Sequence, residues 1–368
     1  MVKRVPYAAA GVAALLLLPA AGTWFYLNNS RGTYVFLLAF SLVVAFTPAV
    51  IWFAYKMKIL DLPDSRKIHA NPIPRIGGLA IFLAFMITVF RNFRFPPEVI
   101  GLLSGALIIF IAGFADDIKS NSAFLRLGAQ LAAVAALIYS GVYIKFVPIF
   151  KYSLLLDYLL TAFWVVGIVN AINFLDGIDG LAAGLGAISG LCFFIIVFLS
   201  GQKELAYLLM AFIGACCGFL VFNFRPAKIF MGDSGSSVIG FLLAGFSIIG
   251  VWNSHNRVIG AAMPILILGI PIFDMIYTTI SRVINGSVKS VKEWLEFTGK
   301  DHFHHRLLNI GFSQRSGVIF LYALNLILGL SSVALLNTTE AVAYLLLVQA
   351  VFIFLIIVTL MRTGRKLE

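Results

Sequence analysis

Charge is scarce in this chain. Only 12% of the 368 residues are Asp, Glu, Lys or Arg, and acids are the rarer kind, 16 against 27 bases. With 61% hydrophobic residues and a mean hydropathy of +1.00, the chain lacks the polar surface that a water-soluble domain needs, which makes it an integral membrane protein. Cysteine is scarce too: Cys192, Cys216 and Cys217 all lie inside apolar runs. That odd count excludes a disulfide framework or a spaced zinc site and leaves packing as their role. The Gly-Lys-Ser/Thr of a Walker loop is missing, as is the Asp-x-Asp-x-Asp-Gly of a calcium loop. There is also no clear internal repeat of the kind paired-half transporters are built from. The net charge of +11 could point to nucleic acid in a soluble chain. Here the charges sit between apolar runs, so the expected partners are anionic headgroups or phosphorylated substrates, and no nucleic acid.

What is present is length in apolar runs. A spanning helix needs about 20 such residues at about 1.5 Å each. Twelve segments qualify or nearly do: 7–27, 33–55, 78–90, 98–115, 125–144, 153–172, 180–200, 205–222, 235–252, 258–280, 317–336 and 342–361. The expected fold class is all-α, a polytopic membrane protein with 11–12 transmembrane helices. The segment 7–27 follows a basic start and mimics a signal peptide, but it is read as a retained helix. Residues 1–32 then form an extra N-terminal helix, and 33–368 the main domain with a long polar loop at 281–316. Placing the N-terminus inside puts 20 of the 27 Lys and Arg on inner loops, as the positive-inside rule requires, with both termini cytoplasmic. Every polar cluster of interest then falls on that same side, in the loops 56–77, 116–124, 173–179, 223–234 and 281–316. An active site at the cytoplasmic face follows.

The clusters carry recognisable chemistry. Asp116 and Asp117 end one apolar helix, where adjacent acids repel each other and oppose the helix dipole unless a cation or shared proton compensates. Asn173, Asp176 and Asp179 recur at three-residue spacing, with Gly177 and Gly180 allowing close backbone approach. Self-capping turns would account for the same residues. Gly232-Asp233-Ser234-Gly235 opens a helix, the arrangement of a phosphate or metal loop, although Asp233 could simply cap that helix. His302, His304 and His305 cluster with Arg306; the hard oxygen ligands elsewhere favour Mg²⁺, which leaves the histidines to phosphate. In 61–78, Arg66, Lys67 and Arg75 would suit phosphate, though inner-loop topology explains them as well. Acids for Mg²⁺, cations for phosphate and a membrane-face location together fit metal-assisted phosphoryl transfer to or from a lipid.

These motifs resemble the polyprenyl-phosphate N-acetylhexosamine-1-phosphate transferases, the WecA/TagO-like glycosyltransferase family 4 that is related to the peptidoglycan enzyme MraY. The resemblance rests on 61–78, Asp116-Asp117, Asn170 to Gly184, Asn223 to Ser236 and His302-Phe-His-His, in order, and covers residues 33–361. It implies transfer of an N-acetylhexosamine 1-phosphate, most simply GlcNAc 1-phosphate, from a UDP-sugar to undecaprenyl phosphate with release of UMP. That is the first membrane step of a cell-surface polysaccharide pathway in the bacterial cytoplasmic membrane. Mg²⁺ is the implied cofactor, with Mn²⁺ able to stand in, and a homodimer is left open. Carried over residue by residue, Asp116 matches the base that deprotonates or positions the lipid phosphate, with Asp117 beside it. Asp233 and Asn173 match metal ligands, with Asp176 and Asp179 supporting metal and nucleotide. Asn223 and Phe230 would lie by the uridine, and His302, His304, His305 and Arg306 by the diphosphate, while Arg126 matches a phosphate-contacting base. Two features depart from the family pattern: the helix at 7–27, and His-Phe-His-His where the peptidoglycan enzyme has three histidines in a row. The second favours a GlcNAc-type donor over UDP-MurNAc-pentapeptide, with other UDP-HexNAc sugars as alternatives. From another class, an ion-coupled transporter would use Asp157 and Asp274 as buried carriers, although Asp274 could instead brace the site.

Overall fold

In lipid every backbone N–H and C=O must find a partner within its own segment, so the apolar runs fold as helices. The computed structural model describes residues 5–63, 71–146, 148, 152–252, 256–290, 293, 299 and 301–366. The first helices are α1 (Val5–Leu17), α2 (Pro19–Leu27) and α3 (Arg31–Met57). A two-residue antiparallel ribbon follows, β1 (Leu60–Asp61) against β2 (Ile73–Pro74), with Leu60 opposite Pro74. Next come α4 (Gly78–Asn92), α5 (Pro97–Ile118), α6 (Ala123–Tyr139), α7 (Ser153–Leu175), α8 (Leu181–Leu199), α9 (Lys203–Asn223) and α10 (Gly232–Ile249). The chain ends with α11 (Arg257–Ile267), α12 (Gly269–Ile284), α13 (Phe303–Asn309), α14 (Gln314–Ala334) and α15 (Glu340–Lys366).

Eight of the described helices are long and apolar enough to span a bilayer, or up to ten if each of two bent pairs is one span. α4 and α6 are shorter apolar helices. The twelve expected segments are therefore all helical, but two are not straight. The run 7–27 bends by 74° between α1 and α2, and 258–280 bends by 82° between α11 and α12. Proline explains both breaks. Pro19 starts α2 after an extended Leu18. Pro271 has no N–H to offer the carbonyl one turn back, at Ile267, and that oxygen accepts from Ser189 Oγ at 3.1 Å instead. At 13 residues α1 is about 20 Å long, short of a crossing by itself. It packs on α3, where the Tyr34 hydroxyl donates to the Leu16 carbonyl at 2.9 Å.

Where each helix sits follows from its side chains. In lipid, helices associate through close packing, which small residues permit. α8 and α10 are rich in Gly, Ala and Ser, and 72% of the apolar window of each is buried, against 17% for the Leu- and Val-rich α15. α10 is the hub, packed on α4, α5, α7 and α8, whereas α15 presents most of its surface outward. Gly78 shows how tightly the hub is gripped: a Cβ there would lie 2.2 Å from the backbone nitrogen of Gly235. This packing gathers the C-terminal ends of α3, α5, α7 and α9 and the N-terminal ends of α4, α8 and α10 at one pole of the bundle.

Candidate active site

At that pole two backbone segments are joined first. Phe230 N donates to Pro74 O at 2.7 Å, Gly77 N to Phe230 O at 2.9 Å and Gly78 N to Met231 O at 2.7 Å. The stretch leading into α10 is thereby pinned to the stretch leading into α4. Gly232 lies at this join with φ +75°, and a Cβ on it would meet the Arg75 carbonyl at 2.2 Å and Asp117 Oδ1 at 2.5 Å. Only glycine fits there.

Asp117 accepts from three donors at the start of α10: Asp233 N at 2.7 Å, Ser234 N at 3.2 Å and Ser234 Oγ at 2.5 Å. A carboxylate against the unpaired N–H groups of a helix N-terminus is a favourable pairing, so the acid that ends α5 anchors the helix that starts at Gly232. Arg75 Nε donates to the Asp117 carbonyl at 2.9 Å. Sequence reasoning set Asp117 beside a base with no distinct task; the structure gives it a positioning one.

Asp116 faces the other way. Its Oδ1 accepts from Asn121 N at 2.5 Å, and its Oδ2 lies 3.4 Å from Arg126, which also reaches Asp233 at 3.8 Å. The carboxyls of Asp116 and Asp233 are themselves close enough to share a hydrogen bond. Asn173 Nδ2 donates to Asp233 Oδ1 at 2.7 Å and to Ser236 Oγ at 2.9 Å. Asp116, Asp233, Asn173 and Arg126, drawn from α5, α10, α7 and α6, thus form one cluster. Asp176 lies just past α7, lining the cleft. Burial first, and then the carboxylates of Asp233, Asp117 and Asp179, push it well above the ordinary carboxylate range.

The cluster stands between two cavities. One, about 340 Å³, is lined by Arg126, Gln130, Asn170, His302 and His304. The other, about 840 Å³, is lined by Arg75, Asp176, Asp179, Arg225, Lys228 and Phe230. Asn173, Gly177, Asp233 and His305 line both.

Other expected residues are placed differently from one another. Asn223 is a staple: its Oδ1 accepts from Gly180 N at 3.0 Å and its Nδ2 donates to Ile229 O at 2.9 Å, tying the start of α8 to the loop before α10. Asp179 Oδ2 accepts from Ala227 N at 3.0 Å and so holds the same loop. His302 is braced from behind, with Nδ1 2.7 Å from Asp274 Oδ2 and Nε2 3.1 Å from Arg282, whose guanidinium pairs with Asp301 through two 2.7 Å contacts. Because an arginine donor faces Nε2, that nitrogen accepts, and Nδ1–H donates to Asp274. Burial opposes ionisation of Asp301, but the Arg282 hydrogen bonds and charge outweigh it and hold the carboxyl below its usual range. His304 is buried, and neither ring nitrogen has a hydrogen-bond partner among the described residues. Burial, then His305 and His302, hold it well below the ordinary imidazole value, so it enters the site as a neutral ring. Arg306 is buried beside this group and lines neither cavity. Lys67 lies outside the described residues.

Several site residues were not singled out from sequence. Gln130 and Asn170 bond each other at 3.1 and 3.3 Å, and as lone polar side chains inside apolar helices they carried a readable signal. Arg225, Lys228 and Arg282 counted only as inner-loop charge, and Ser234 and Ser236 lay inside the motif around Gly232 with no role of their own.

The donor chemistry fits a hard cation. Among the described residues no three His, Cys, Asp or Glu form a ready-made metal cage. Asp233 nonetheless lies within hydrogen-bond reach of both the Asn173 amide and the Asp116 carboxyl, and Asp176 lines the same cavity. Mg²⁺ is commonly held by one or two carboxylates completed by substrate phosphates and water, not by an all-protein cage.

Comparison with known proteins gives this geometry a context. The profile of glycosyl transferase family 4 matches residues 99–251. A probable undecaprenyl-phosphate N-acetylglucosaminyl 1-phosphate transferase of Bacillus subtilis is 36% identical over 316 residues, which is 84% of this chain and 86% of that protein. A decaprenyl-phosphate N-acetylglucosaminephosphotransferase of Mycobacterium tuberculosis is 34% identical over 311 residues, 75% of each chain. An undecaprenyl-phosphate alpha-N-acetylglucosaminyl 1-phosphate transferase of Escherichia coli K12 is 28% identical over 294 residues, 76% of this chain and 78% of that protein.

Proposed function

This chain belongs to glycosyl transferase family 4, and from that premise we propose that it transfers N-acetylglucosamine 1-phosphate from a UDP-sugar to undecaprenyl phosphate, releasing UMP, with Mg²⁺ as cofactor. The observation that carries this reading is the cluster of Asp116, Asp233 and Asn173, of which Asp233 and Asn173 line both of two adjoining cavities. A bisubstrate transfer needs such a partition. One anionic partner enters from each side, and the reacting atoms meet over the acids.

In the reaction an oxygen of the lipid phosphate forms a bond to the sugar-bearing phosphorus of the UDP-sugar. The bond from that phosphorus to the bridging oxygen breaks, and UMP leaves with the bridging oxygen. Both reactants are anions, so their repulsion must be offset before an in-line approach. Arg126 at the smaller cavity, and Arg75, Arg225 and Lys228 at the larger, supply positive charge on the two sides. Asp233 and Asn173, with Asp116 and Asp176 nearby, would hold Mg²⁺, which when bound neutralises charge on the transferring phosphate. Asp116 is placed to orient the attacking group, with Arg126 3.4 Å from its carboxylate. Asp117 keeps Asp233 in position by fixing the start of α10.

The catalytic pole is assigned to the cytoplasmic face of the bacterial membrane. The supporting fact is that Arg75, Arg126, Arg225, Lys228, Arg282 and Arg315 all lie at this pole, as inner-face loops require. The transporter alternative loses its carriers. Asp274 is held by His302 and by Phe303 N at 2.6 Å, and Asp157 accepts from Phe146 N at 3.2 Å in a loop contact.

The test is purified protein with undecaprenyl phosphate and labelled UDP-GlcNAc, with Mg²⁺, with Mn²⁺ and with neither, alongside other UDP-HexNAc donors. Labelled lipid and UMP are expected only with a divalent ion. Asp233→Asn should cut the rate by roughly 100- to 1,000-fold while the protein unfolds at an unchanged temperature. Full activity of that variant, or no labelled lipid from any donor, overturns the assignment.

A further inference from the structure

The pole opposite the acids holds the largest cavity described, about 1540 Å³, formed where α1 bends into α2 and closed by the far ends of α3, α4, α5, α9 and α10. Its lining is basic. Arg31, Arg91, Arg94 and Lys203 all face it, against two acids, Glu98 and Glu204. Glu204 is committed to Arg31, at 2.9 Å.

Topology alone does not explain this concentration. The side of the membrane away from the catalytic pole carries few bases, and four of them meet in one cavity. Lys203 is the first residue of α9, where a cation opposes the helix dipole and is favourable only if an anion sits nearby. The walls between the cations are apolar and aromatic: Tyr26 is 68% exposed and Phe95 39% exposed, both lining the cavity. Trp24, 59% exposed, lies two residues before Tyr26 in α2. Exposed Trp and Tyr mark the level of the lipid headgroups. A cavity at that level, with cations above and an apolar wall beside them, is complementary to a phosphate that carries a hydrocarbon tail.

We propose that this cavity is a binding site for a phosphate-bearing lipid headgroup of the leaflet opposite the catalytic cleft, held by Arg91, Arg94 and Lys203. Arg31 is the fixed part of the site, pinned by Glu204, by the Asn92 carbonyl at 2.6 Å and by the Phe93 and Tyr207 rings. The other three are exposed.

The test uses the full-length protein, stripped of lipid in detergent, and counts headgroups retained per molecule by mass spectrometry. Dioleoylphosphatidylglycerol, undecaprenyl phosphate, dioleoylphosphatidylcholine and inorganic phosphate are offered separately and in competition. The triple variant R91Q/R94Q/K203Q is compared with the parent, with Glu98→Gln as a variant that removes an opposing charge. The expected result is retention of an anionic lipid over the zwitterionic one. That retention should weaken by about tenfold or more in the triple variant and strengthen in Glu98→Gln, with transferase rate unchanged in both. The lipid that competes best names the source, phospholipid or isoprenoid; competition by inorganic phosphate at equal concentration would make the site one for a soluble phosphate and overturn the lipid assignment. Equal retention by parent and triple variant also overturns it. If the triple variant does not fold, Glu98→Gln and the single R94Q read the same dependence with opposite signs, and no change in either is a refutation.

Discussion

Five helices, α3, α4, α5, α9 and α10, run from one pole to the other, and their two sets of ends are chemically opposite. At the catalytic pole they collect acids that are buried and bonded. Asp116 and Asp117 are 6% and 4% exposed, and each carboxylate has fixed partners. At the far pole they collect bases, and apart from Arg31 these are exposed. The difference reflects cost. A buried charge must be matched by hydrogen bonds or it unfolds the protein, so its geometry is fixed before any substrate arrives. An exposed cation at the headgroup level is solvated and cheap, so it is left to find its partner. Catalysis needs the first arrangement, since misplaced charge does not lower a barrier; capture of a diffusing headgroup is served by the second.

The sharpest way to break this contrast is Asp117→Ala. It touches no substrate in the scheme above, yet it strips an acceptor from Asp233 N, Ser234 N and Ser234 Oγ. Leaving those donors buried without a partner should cost about 2–3 kcal/mol of stability. Turnover should fall by roughly 100-fold as Asp233 drifts. Asp117→Asn keeps an acceptor oxygen and should recover part of both. Thermal unfolding and UMP release, measured on the same preparations, check it. A loss of rate with no loss of stability would mean that Asp117 works on substrate directly.

The Asp176 carboxyl gives a smaller effect with a definite sign. Its pKa in the folded protein is raised well above 3.8, so folding favours the protonated form. Stability from this group is fully present below pH 3.8 and is lost as pH rises through the raised value. Asp176→Asn removes that loss. The metal-free variant should therefore melt higher than the parent at neutral and alkaline pH, the gap widening with pH. Melting curves in chelator across pH test this, and a gap that stays constant would mean that Asp176 ionises freely in the folded protein.

The contrast between the poles was only half legible in the sequence. The inner pole announces itself because Asp116-Asp117, Asn173 to Asp179 and Gly232 to Ser236 put polar side chains where apolar runs end, and lone polar groups in such a chain need a reason. The helical segments were legible for the same reason. What the sequence could not show was direction. Asn223 reads as a substrate contact, and besides lining the larger cavity its side chain closes Gly180 onto Ile229; Asp117 reads as half of an acid pair, and its carboxylate also lies under α10. Each role depends on a distant partner, Gly180 at 43 residues from Asn223 and Ser234 at 117 from Asp117. The bends at Leu18 and Leu268 hid inside apolar runs because hydropathy does not register the N–H that Pro19 and Pro271 lack. The far pole stayed invisible because Arg31, Arg91, Arg94 and Lys203 are scattered singly over 173 positions, each looking like an ordinary helix-end residue.

The smallest expected effect comes from Glu204→Ala at that far pole. Glu204 is 70% exposed and meets Arg31 at 2.9 and 3.4 Å, an ion pair that looks as well made as those at the catalytic end. Exposure makes it weak: water and salt screen the attraction, and removing the acid should cost about 0.5 kcal/mol. Arg31 would not swing free, because the Asn92 carbonyl at 2.6 Å and the Phe93 and Tyr207 rings, 5.3 and 4.7 Å from its guanidinium carbon, still hold it. Arg31→Ala removes all of these together and should be the more damaging change at this pole, with Glu204→Ala as its control. The same substitution takes one of two negative charges out of the basic cavity, so an anionic headgroup should be retained more firmly while UMP release stays at the parental rate. Melting, lipid retention and turnover of the one variant therefore separate the poles. A fall in turnover would show that the helices transmit strain from end to end, and the two poles would then have to be understood as one device.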